Sequence, residues 1–262
     1  MRIGFIGCGK MGGAILRGIK GKIFKTEDIS VYELNPSIVQ GLERAGIDVA
    51  PSIDELLEKV DVVLLAIKPQ DFSSLLNSLR GKVQDKLILT IAAGVKISTL
   101  EGVLGKIRIA RAMPNTAASL GEASSVLCFN KEVSENDKRL AQEIFNAIGK
   151  VTVISEDLMD DVIPIGGSFT AFEYYFYKGF LESSVKRGVP KEIAKKLLVQ
   201  SIIGSAKMID SDDRDIDQLI ADVCSKGGTT LAGLKAFEDG NLLKIIDDCA
   251  VACAERSKEL GK

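Results

Sequence analysis

The stretch IGFIGCGKMGG, residues 3–13, decides the fold of this chain. A mostly apolar run at residues 2–6 predicts a buried strand, and a helical pattern of apolar residues follows it. Gly7, Gly9 and Gly12 therefore fall on a strand-to-helix turn, the context that the dinucleotide-binding pattern GxGxxG requires. In that pattern Gly7 allows the tight turn, Gly9 lets the backbone approach a pyrophosphate, and Gly12 lets the helix pack closely on the strand. The free N–H groups and partial positive charge of the helix N-terminus would then hold the phosphates.

Composition limits the classes of protein to which the chain can belong. With 262 residues, 46% of them hydrophobic, it can bury one large core or two smaller ones. A net charge of -2 without a basic block argues against a nucleic-acid or anionic-membrane partner. The sequence has neither an apolar run of the roughly 18 residues that a membrane span needs nor a signal-peptide pattern at its N-terminus. We therefore expect a cytoplasmic protein.

The sequence contains no histidine. Its absence excludes catalysis by Ser-His or Cys-His pairs, acid–base catalysis by histidine, and most kinds of zinc site. The five cysteines form no CxxC pair, and only Cys249 and Cys253 would share a helix face, where we interpret them as buried thiols. The sequence therefore predicts no metal site. Any chemistry must use lysine, hydroxyl groups, carboxylates, the backbone or water.

A second strand, residues 29–33, ends in an acid. Glu33 lies about twenty residues beyond Gly12, where a carboxylate can accept hydrogen bonds from the adenosine ribose. The alternative, a solvated acid at a strand end, stays open. Pro36 suits the first turn of a helix that runs to about Arg44. No lysine or arginine follows Glu33 closely to hold a 2′-phosphate, so the local chemistry favours NADH over NADPH.

Three further apolar segments, residues 61–67, 87–91 and 107–110, are typical of parallel strands covered on both faces. Strands at 124–128 and 150–154, with a helix between them, complete the sheet. Ligands of such sheets sit at the carboxyl ends of the strands. The expected cofactor-binding residues are therefore Gly7, Cys8, Gly9, Lys10, Met11, Gly12, Glu33, Asn35, Lys68, Pro69, Ala92, Ala93, Gly94, Met113, Pro114 and Asn115.

The fold class that this alternation indicates is α/β, with a Rossmann-type doubly wound sheet in residues 1–156. Residues 157–262 show helical patterns only. Seven aromatic residues fall within residues 169–180, on every side of the first long helix, which predicts burial all round. In a domain of about a hundred residues, that surface is most easily buried against another subunit. We therefore expect an all-α dimerisation domain.

In this helical half, the small and polar residues of the loop SKGGTT, residues 225–230, are not explained by packing in a core. Two glycines and two threonines before a helix offer several backbone N–H groups and two hydroxyls, which suit a carboxylate. A plain helix N-cap on a flexible loop explains the same residues equally well.

Over nearly its whole length the chain resembles pyrroline-5-carboxylate reductase. The motifs that carry the resemblance are IGFIGCGKM at 3–11, AIKP at 66–69, IAAGV at 91–95, RAMPNT at 111–116, GSAKM at 204–208 and VCSKGGTT at 223–230. The resemblance implies reduction of 1-pyrroline-5-carboxylate to L-proline by NAD(P)H, a helical domain interlocked with that of a second subunit, and assembly of such dimers into a higher oligomer. It also implies that the backbone of Gly227, Gly228 and Thr229 binds the substrate carboxylate. Thr230 would lie by the ring nitrogen, to orient it or relay a proton rather than to act as a strong acid.

Two departures from the family pattern stand out. Lys226 replaces the proline of the family's SPGGTT loop, and residues 169–172 read FTAF where the family has a Ser-Pro-Ala-Tyr-like run. Members of the family often prefer NADPH, whereas Glu33 would repel a 2′-phosphate. The resemblance and the local chemistry therefore favour different cofactors, and the local chemistry favours NADH.

Three alternatives remain: a reductase of a related cyclic imine, a 3-hydroxyacid-type dehydrogenase, and a non-catalytic dinucleotide-binding regulatory protein. The hydroxyacid interpretation needs a lysine with asparagine four residues later, whereas Lys178 is followed by Glu182.

Overall fold

The structure is a computed structural model that describes residues 1–260. Within these residues one sheet has eight strands in the order β3-β2-β1-β4-β5-β6-β7-β8. The strands are β1 (Ile3–Ile6), β2 (Ile29–Tyr32), β3 (Asp48–Val49), β4 (Val62–Leu65), β5 (Leu87–Thr90), β6 (Arg108–Met113), β7 (Ala123–Phe129) and β8 (Gly149–Val153). From β1 the order runs outward to β3 on one side and from β4 to β8 on the other. The switch point therefore lies between β1 and β4, where ligands of doubly wound sheets bind.

Helices cover both faces of the sheet and create two cores. In the first half of the chain they are α1 (Lys10–Ile19), α2 (Pro36–Arg44), α3 (Ile53–Lys59), α4 (Phe72–Leu79), α5 (Ile97–Leu104) and α6 (Glu135–Asn146). Alternate residues of β4 face opposite sides: Val62 and Leu64 belong to one core, Val63 and Leu65 to the other. This explains the near-continuous apolar runs of the sequence and confirms the predicted α/β class.

Short polar signals start the helices. Asn35 caps α2 by accepting a 3.0 Å hydrogen bond from the Ser37 N–H, and Pro36 occupies the first helical turn as expected. Ser134 and Asp137 form a reciprocal capping box at the start of α6.

The sheet departs from a purely parallel pattern at β6 and β7, which pair antiparallel. Only a 3-10 helix, Thr116–Leu120, lies between them, and a parallel crossover needs a longer connection. Strand β6 also continues to Met113, three residues beyond its predicted end at Ala110. The segment Arg111–Met113 is therefore strand, and its side chains alternate between the two faces of the sheet.

The remaining helices are α7 (Ile163–Gly166), α8 (Phe169–Lys186), α9 (Lys191–Ser211), α10 (Ile216–Val223), α11 (Thr229–Asp239) and α12 (Leu242–Leu260). Within residues 157–260 the regular elements are all helices, as the sequence predicts for this half, although α7 was not predicted. Contacts divide the chain into a first compact unit, Met1–Thr170 with Cys253–Lys262, and a second unit, Ala171–Ala252. The predicted domain boundary after residue 156 stays a prediction.

Five of the seven aromatic side chains of α8 are exposed in the single chain, and Phe172 and Tyr177 are half-buried. Tyr174 and Tyr175 keep 68% and 78% of their surface accessible, and α8 has no buried residue. Phe176 packs on Phe180 with ring centroids 5.2 Å apart. An apolar surface of this kind is typical of a subunit interface.

Two further expectations concern the helices. Cys249 is exposed and Cys253 is half-buried in the single chain, so the expectation of a buried thiol is wrong for Cys249. No helix within residues 1–260 combines the length and apolar composition needed to cross a membrane.

Candidate active site

The glycine-rich turn between β1 and α1 has little room for side chains. Gly7 adopts a φ of +85°, and a Cβ there would stand 2.7 Å from the Ala66 carbonyl oxygen. A Cβ on Gly12 would stand 3.0 Å from the Gly7 carbonyl oxygen. Gly9 differs, because no atom lies within 4 Å of its Cβ position and it caps α1 without a side-chain hydrogen bond. Gly9 therefore leaves space beside the N-terminus of α1, which has no side-chain cap, an arrangement that suits a pyrophosphate.

A cleft of ≈ 500 Å³ lies next to this turn. From the predicted residues of the turn, its lining includes Gly9, Lys10, Met11 and Gly12. From the strand ends it includes Lys68, Ala92, Ala93, Gly94, Met113 and Pro114. The carboxyl ends of β4, β5 and β6 thus meet α1 as the sequence argument expects. The side chain of Pro69, another predicted residue, lies outside the described part of the chain.

The Glu33 carboxylate is bound to backbone amides. Its Oε2 accepts a 2.7 Å hydrogen bond from the N–H of Cys8, and its Oε1 accepts 2.8 Å hydrogen bonds from the N–H groups of Leu34 and Asn35. A negative charge is therefore fixed at the end of β2, directly against the glycine-rich turn. Burial, with a smaller contribution from Glu33, raises the pKa of the Cys8 thiol to about 11, so Cys8 is neutral at physiological pH.

Two predicted cofactor residues use their side-chain amides within the fold. Asn115 donates a 3.0 Å hydrogen bond to the Gly166 carbonyl and accepts a 3.2 Å hydrogen bond from the Ala117 N–H. The oxygen of the other residue, Asn35, caps α2. A direct role of either amide with a cofactor stays a prediction.

The cleft also contains residues that the sequence argument missed, among them Arg111, Gly167 and Ser168. Arg111 is buried, and its Nη1 lies 3.1 Å from Glu156 Oε1. The RAMPNT motif contained the signal for Arg111, but the strand was predicted to end at Ala110, which placed Arg111 outside it. No local pattern predicted Gly167 and Ser168, because they reach the cleft through tertiary contacts.

In the second unit, residues 225–228 form a tight turn, and α11 begins at Thr229. The Gly228 N–H donates to the Ser225 carbonyl at 2.9 Å, and Gly227 has a φ of +71°, as in a type II turn. Gly228 then caps α11 without a side-chain hydrogen bond, which leaves N–H groups of its first turn free of a side-chain partner. These are the residues predicted to bind a carboxylate.

Thr230 lies in the first turn of α11 and is half-buried. It lines two grooves of the second unit, one with Met208 and Ile220 and the other with Phe176 and Phe237. Its hydroxyl makes no hydrogen bond to another residue within residues 1–260. Thr230 therefore offers a polar group with free hydrogen-bonding capacity in apolar surroundings.

We expect Lys226→Pro to raise the free energy of unfolding by about 0.4–1 kcal/mol. Lys226 is exposed at the second position of the turn, where proline suits the type II geometry, and its N–H makes no hydrogen bond within the described chain. Urea denaturation would measure the change. The control Lys226→Ala removes the charge without restraining the backbone and should stay within about 0.5 kcal/mol. A destabilised proline variant would contradict the assignment of the turn.

The family models match both parts of the chain. A model described as pyrroline-5-carboxylate reductase dimerisation matches residues 156–260, which supports a homodimer. A model described as NADP oxidoreductase, coenzyme F420-dependent, matches residues 2–94.

Relatives match over the full length. A pyrroline-5-carboxylate reductase of Methanosarcina acetivorans is 35% identical over 265 residues, covering 100% of this chain and 98% of the relative. That of Arabidopsis thaliana is 32% identical and covers 100% and 96%. The crystal structure of a Plasmodium falciparum pyrroline carboxylate reductase with NADP bound superposes with a TM-score of 0.91 at 32% identity, covering 100% and 98%. Because this similarity extends over both the glycine-rich turn and the GGTT segment, the chain belongs to the pyrroline-5-carboxylate reductase family.

Proposed function

We propose that this protein reduces 1-pyrroline-5-carboxylate to L-proline with NAD(P)H. The observation that carries the proposal is the 35% identity to a reductase of that name over the whole chain. Sequence and structure add an uncapped helix N-terminus beside the glycine-rich turn and a second one after the GGTT turn. One suits a pyrophosphate and the other a carboxylate, which are the anionic groups of the cofactor and the substrate.

The described residues fit a dinucleotide. Bound NAD(P)H would supply a hydride to the imine carbon, and the C=N electron pair would move to nitrogen, which takes up a proton. The protein has to hold the cofactor and the imine next to each other and exclude competing reactions. The α1 N-terminus with Gly9 would hold the pyrophosphate, and Ala92–Gly94 with Met113 and Pro114 would form the wall of the cleft beside the reactive end.

Gly227, Gly228 and Thr229 would hold the substrate carboxylate through backbone N–H groups. The positive end of the α11 dipole lies at the same place and favours a negative charge. Binding of the carboxylate there fixes one side of the five-membered ring. The remaining freedom of the ring is rotation about that anchor.

Thr230 would remove this freedom. Its hydroxyl has no partner within residues 1–260 and can contact the ring nitrogen. An unperturbed threonine hydroxyl is a weak acid, so we infer that it orients the nitrogen and relays a proton from water. This mechanism requires no histidine, and the chain has none.

The alternative of a hydroxyacid dehydrogenase requires a catalytic lysine on α8 with asparagine four residues later, and α8 has Lys178 and Glu182 instead. The Lys178 ammonium lies 3.8 Å from a Glu182 carboxylate oxygen, and both side chains are more than 60% exposed, at 63% and 68%. A surface ion pair of this kind is typical of a solvated helix face.

The test of the proposed function is oxidation of NADH and NADPH in parallel with 1-pyrroline-5-carboxylate as the acceptor. Turnover with either cofactor supports the proposal. Cofactor binding without turnover would instead favour a related cyclic imine as substrate, or a regulatory protein. Light scattering of the same preparation would test whether the homodimers assemble further. The cytoplasmic location stays a prediction.

We further infer a preference for NADH, because the fixed charge of Glu33 would repel a 2′-phosphate. Glu33→Gln is expected to raise the ratio of kcat/KM for NADPH to that for NADH about tenfold, since one removed repulsion of about 1.4 kcal/mol has that effect. Glutamine has one amide oxygen, which can accept either from the Cys8 N–H or from the Leu34 and Asn35 N–H groups but not from all three, so the melting temperature of the variant is measured beside the ratio.

The control for this variant is Glu27→Gln, which removes an acid from the 3-10 helix at the opposite end of β2. That variant should leave the ratio within about twofold, because Glu27 is separated from the turn by the length of the strand. Equal ratios in Glu33→Gln and the unmodified protein would mean that Glu33 does not read the ribose.

A further inference from the structure

One oxygen of Glu156 joins two elements of the cofactor cleft. Glu156 Oε1 accepts a 2.7 Å hydrogen bond from the Ile97 N–H and lies 3.1 Å from Nη1 of Arg111. The Arg111 side chain is 5% exposed and that of Glu156 is 30% exposed. The carboxylate is therefore held between Arg111 of β6 and the first residue of α5.

The contact with Ile97 replaces a missing helix cap. Lys96 precedes α5 and makes no side-chain capping hydrogen bond, so the Glu156 carboxylate supplies both an acceptor and a negative charge at the N-terminus of α5. The loop Ala92–Gly94, which lines the cleft, comes directly before this helix. Fixing the start of α5 therefore fixes one end of the loop.

The other side of the same segment is anchored to the end of α12. Asp160 accepts a 2.5 Å hydrogen bond from the Ser257 hydroxyl, and the Lys258 ammonium lies 2.7 Å from an Asp161 oxygen. A Cβ on Gly94 would stand 3.1 Å from the Leu260 backbone, so the end of α12 also packs on the loop. The segment that carries Glu156 is thus attached on both sides.

We propose that Glu156 is a positioning residue for the cofactor: through Arg111 and the N-terminus of α5 it holds the Ala92–Gly94 loop in the conformation that binds NAD(P)H. The inference rests on the proposed function, because it assumes that the cleft binds this cofactor. Glu156 itself acts on the loop through Arg111 and Ile97, so its loss should affect cofactor binding first.

The test is Glu156→Ala, with the Kd of NADH and NADPH measured by fluorescence titration without substrate, and KM and kcat measured by turnover. Removal of the cap and of the Arg111 partner is expected to raise Kd and the cofactor KM about tenfold, with kcat within about twofold. Glu156→Gln keeps an oxygen for Ile97 and Arg111, so it should restore most of the affinity and stay within about threefold of the unmodified protein.

The matched control is Asp137→Ala. Asp137 is the carboxylate partner of Arg108, the other arginine of β6, at 3.1 Å, and it is not part of the cleft lining. The control should lower the melting temperature but leave Kd within about twofold. If Asp137→Ala raised Kd as much as Glu156→Ala, the effect would be one of general stability and the proposal would be wrong.

An unchanged Kd in Glu156→Ala would also overturn the proposal. If Glu156→Ala does not fold, Glu156→Asp decides, because its side chain is one methylene shorter and draws the carboxylate away from Ile97 and Arg111: a Kd raised severalfold at a normal melting temperature supports the proposal, and an unchanged Kd contradicts it. Absence of any NADH or NADPH binding in the unmodified protein would instead refute the proposed function, so the two failures are distinguishable.

Discussion

Thr230→Val is expected to lower kcat about 10²-fold while the Kd of the cofactor stays within about twofold. Valine reproduces the shape of threonine and removes only the hydroxyl, so the packing of the half-buried side chain among Met208, Ile220 and Phe237 is retained. What is lost is the group that would orient the ring nitrogen as negative charge develops on it. Turnover at saturating substrate, with an independent cofactor titration, would measure both quantities.

The chain provides matched controls for this variant. Thr230→Ser keeps the hydroxyl and should retain kcat within about fivefold. Thr229→Val removes the hydroxyl of the exposed neighbour, whose proposed contact is a backbone N–H, and should change kcat little. A kcat for Thr230→Val equal to that of the unmodified protein would remove Thr230 from the mechanism.

The second large effect is expected at Gly7. Gly7→Ala should lower the free energy of unfolding by about 3–5 kcal/mol, because its Cβ would stand 2.7 Å from the Ala66 carbonyl oxygen at a φ of +85°. The three nearest atoms all belong to Ala66 and Ile67, directly after β4, so the turn cannot relax without moving the end of this strand. Urea denaturation followed by circular dichroism would measure the loss.

Gly9→Ala is the matched control at the next glycine of the turn. Its Cβ would meet no atom within 4 Å, so the free energy of unfolding should fall by about 1 kcal/mol or less. Its Cβ would nevertheless project where the backbone has to approach the pyrophosphate, and the Kd of NAD(P)H should rise more than tenfold. If Gly9→Ala bound the cofactor normally, the pyrophosphate would not lie against this turn.

The sequence predicted well those features that local chemistry controls. The apolar run of β1, the glycine pattern and Pro36 gave the strand, the turn and the start of α2 where the structure has them. The antiparallel β7 was not predicted, because strand direction depends on the length of a connection and not on the residues of the strand.

Contacts between residues that are distant in the sequence could not be predicted from local patterns. The position of Glu33 at the end of β2 was predicted, but its hydrogen bond to the Cys8 N–H depends on how two turns approach each other. In the same way, nothing local in the sequence indicated that Glu156 would reach Arg111 and Ile97. The candidate site was therefore predicted as a set of positions, whereas the contacts that hold those positions required the structure.

The packing of α12 on the cleft loop has a kinetic consequence. Ser257 and Asp160, whose hydrogen bond anchors this helix end, are 97 residues apart in the sequence. Contacts of such separation form only after the entropy of closing a long loop has been overcome, whereas strand–helix units form from near neighbours. We therefore expect the wall of the cleft at Gly94 to be completed late in folding, after most of the secondary structure, and the capacity to bind a dinucleotide to appear with it.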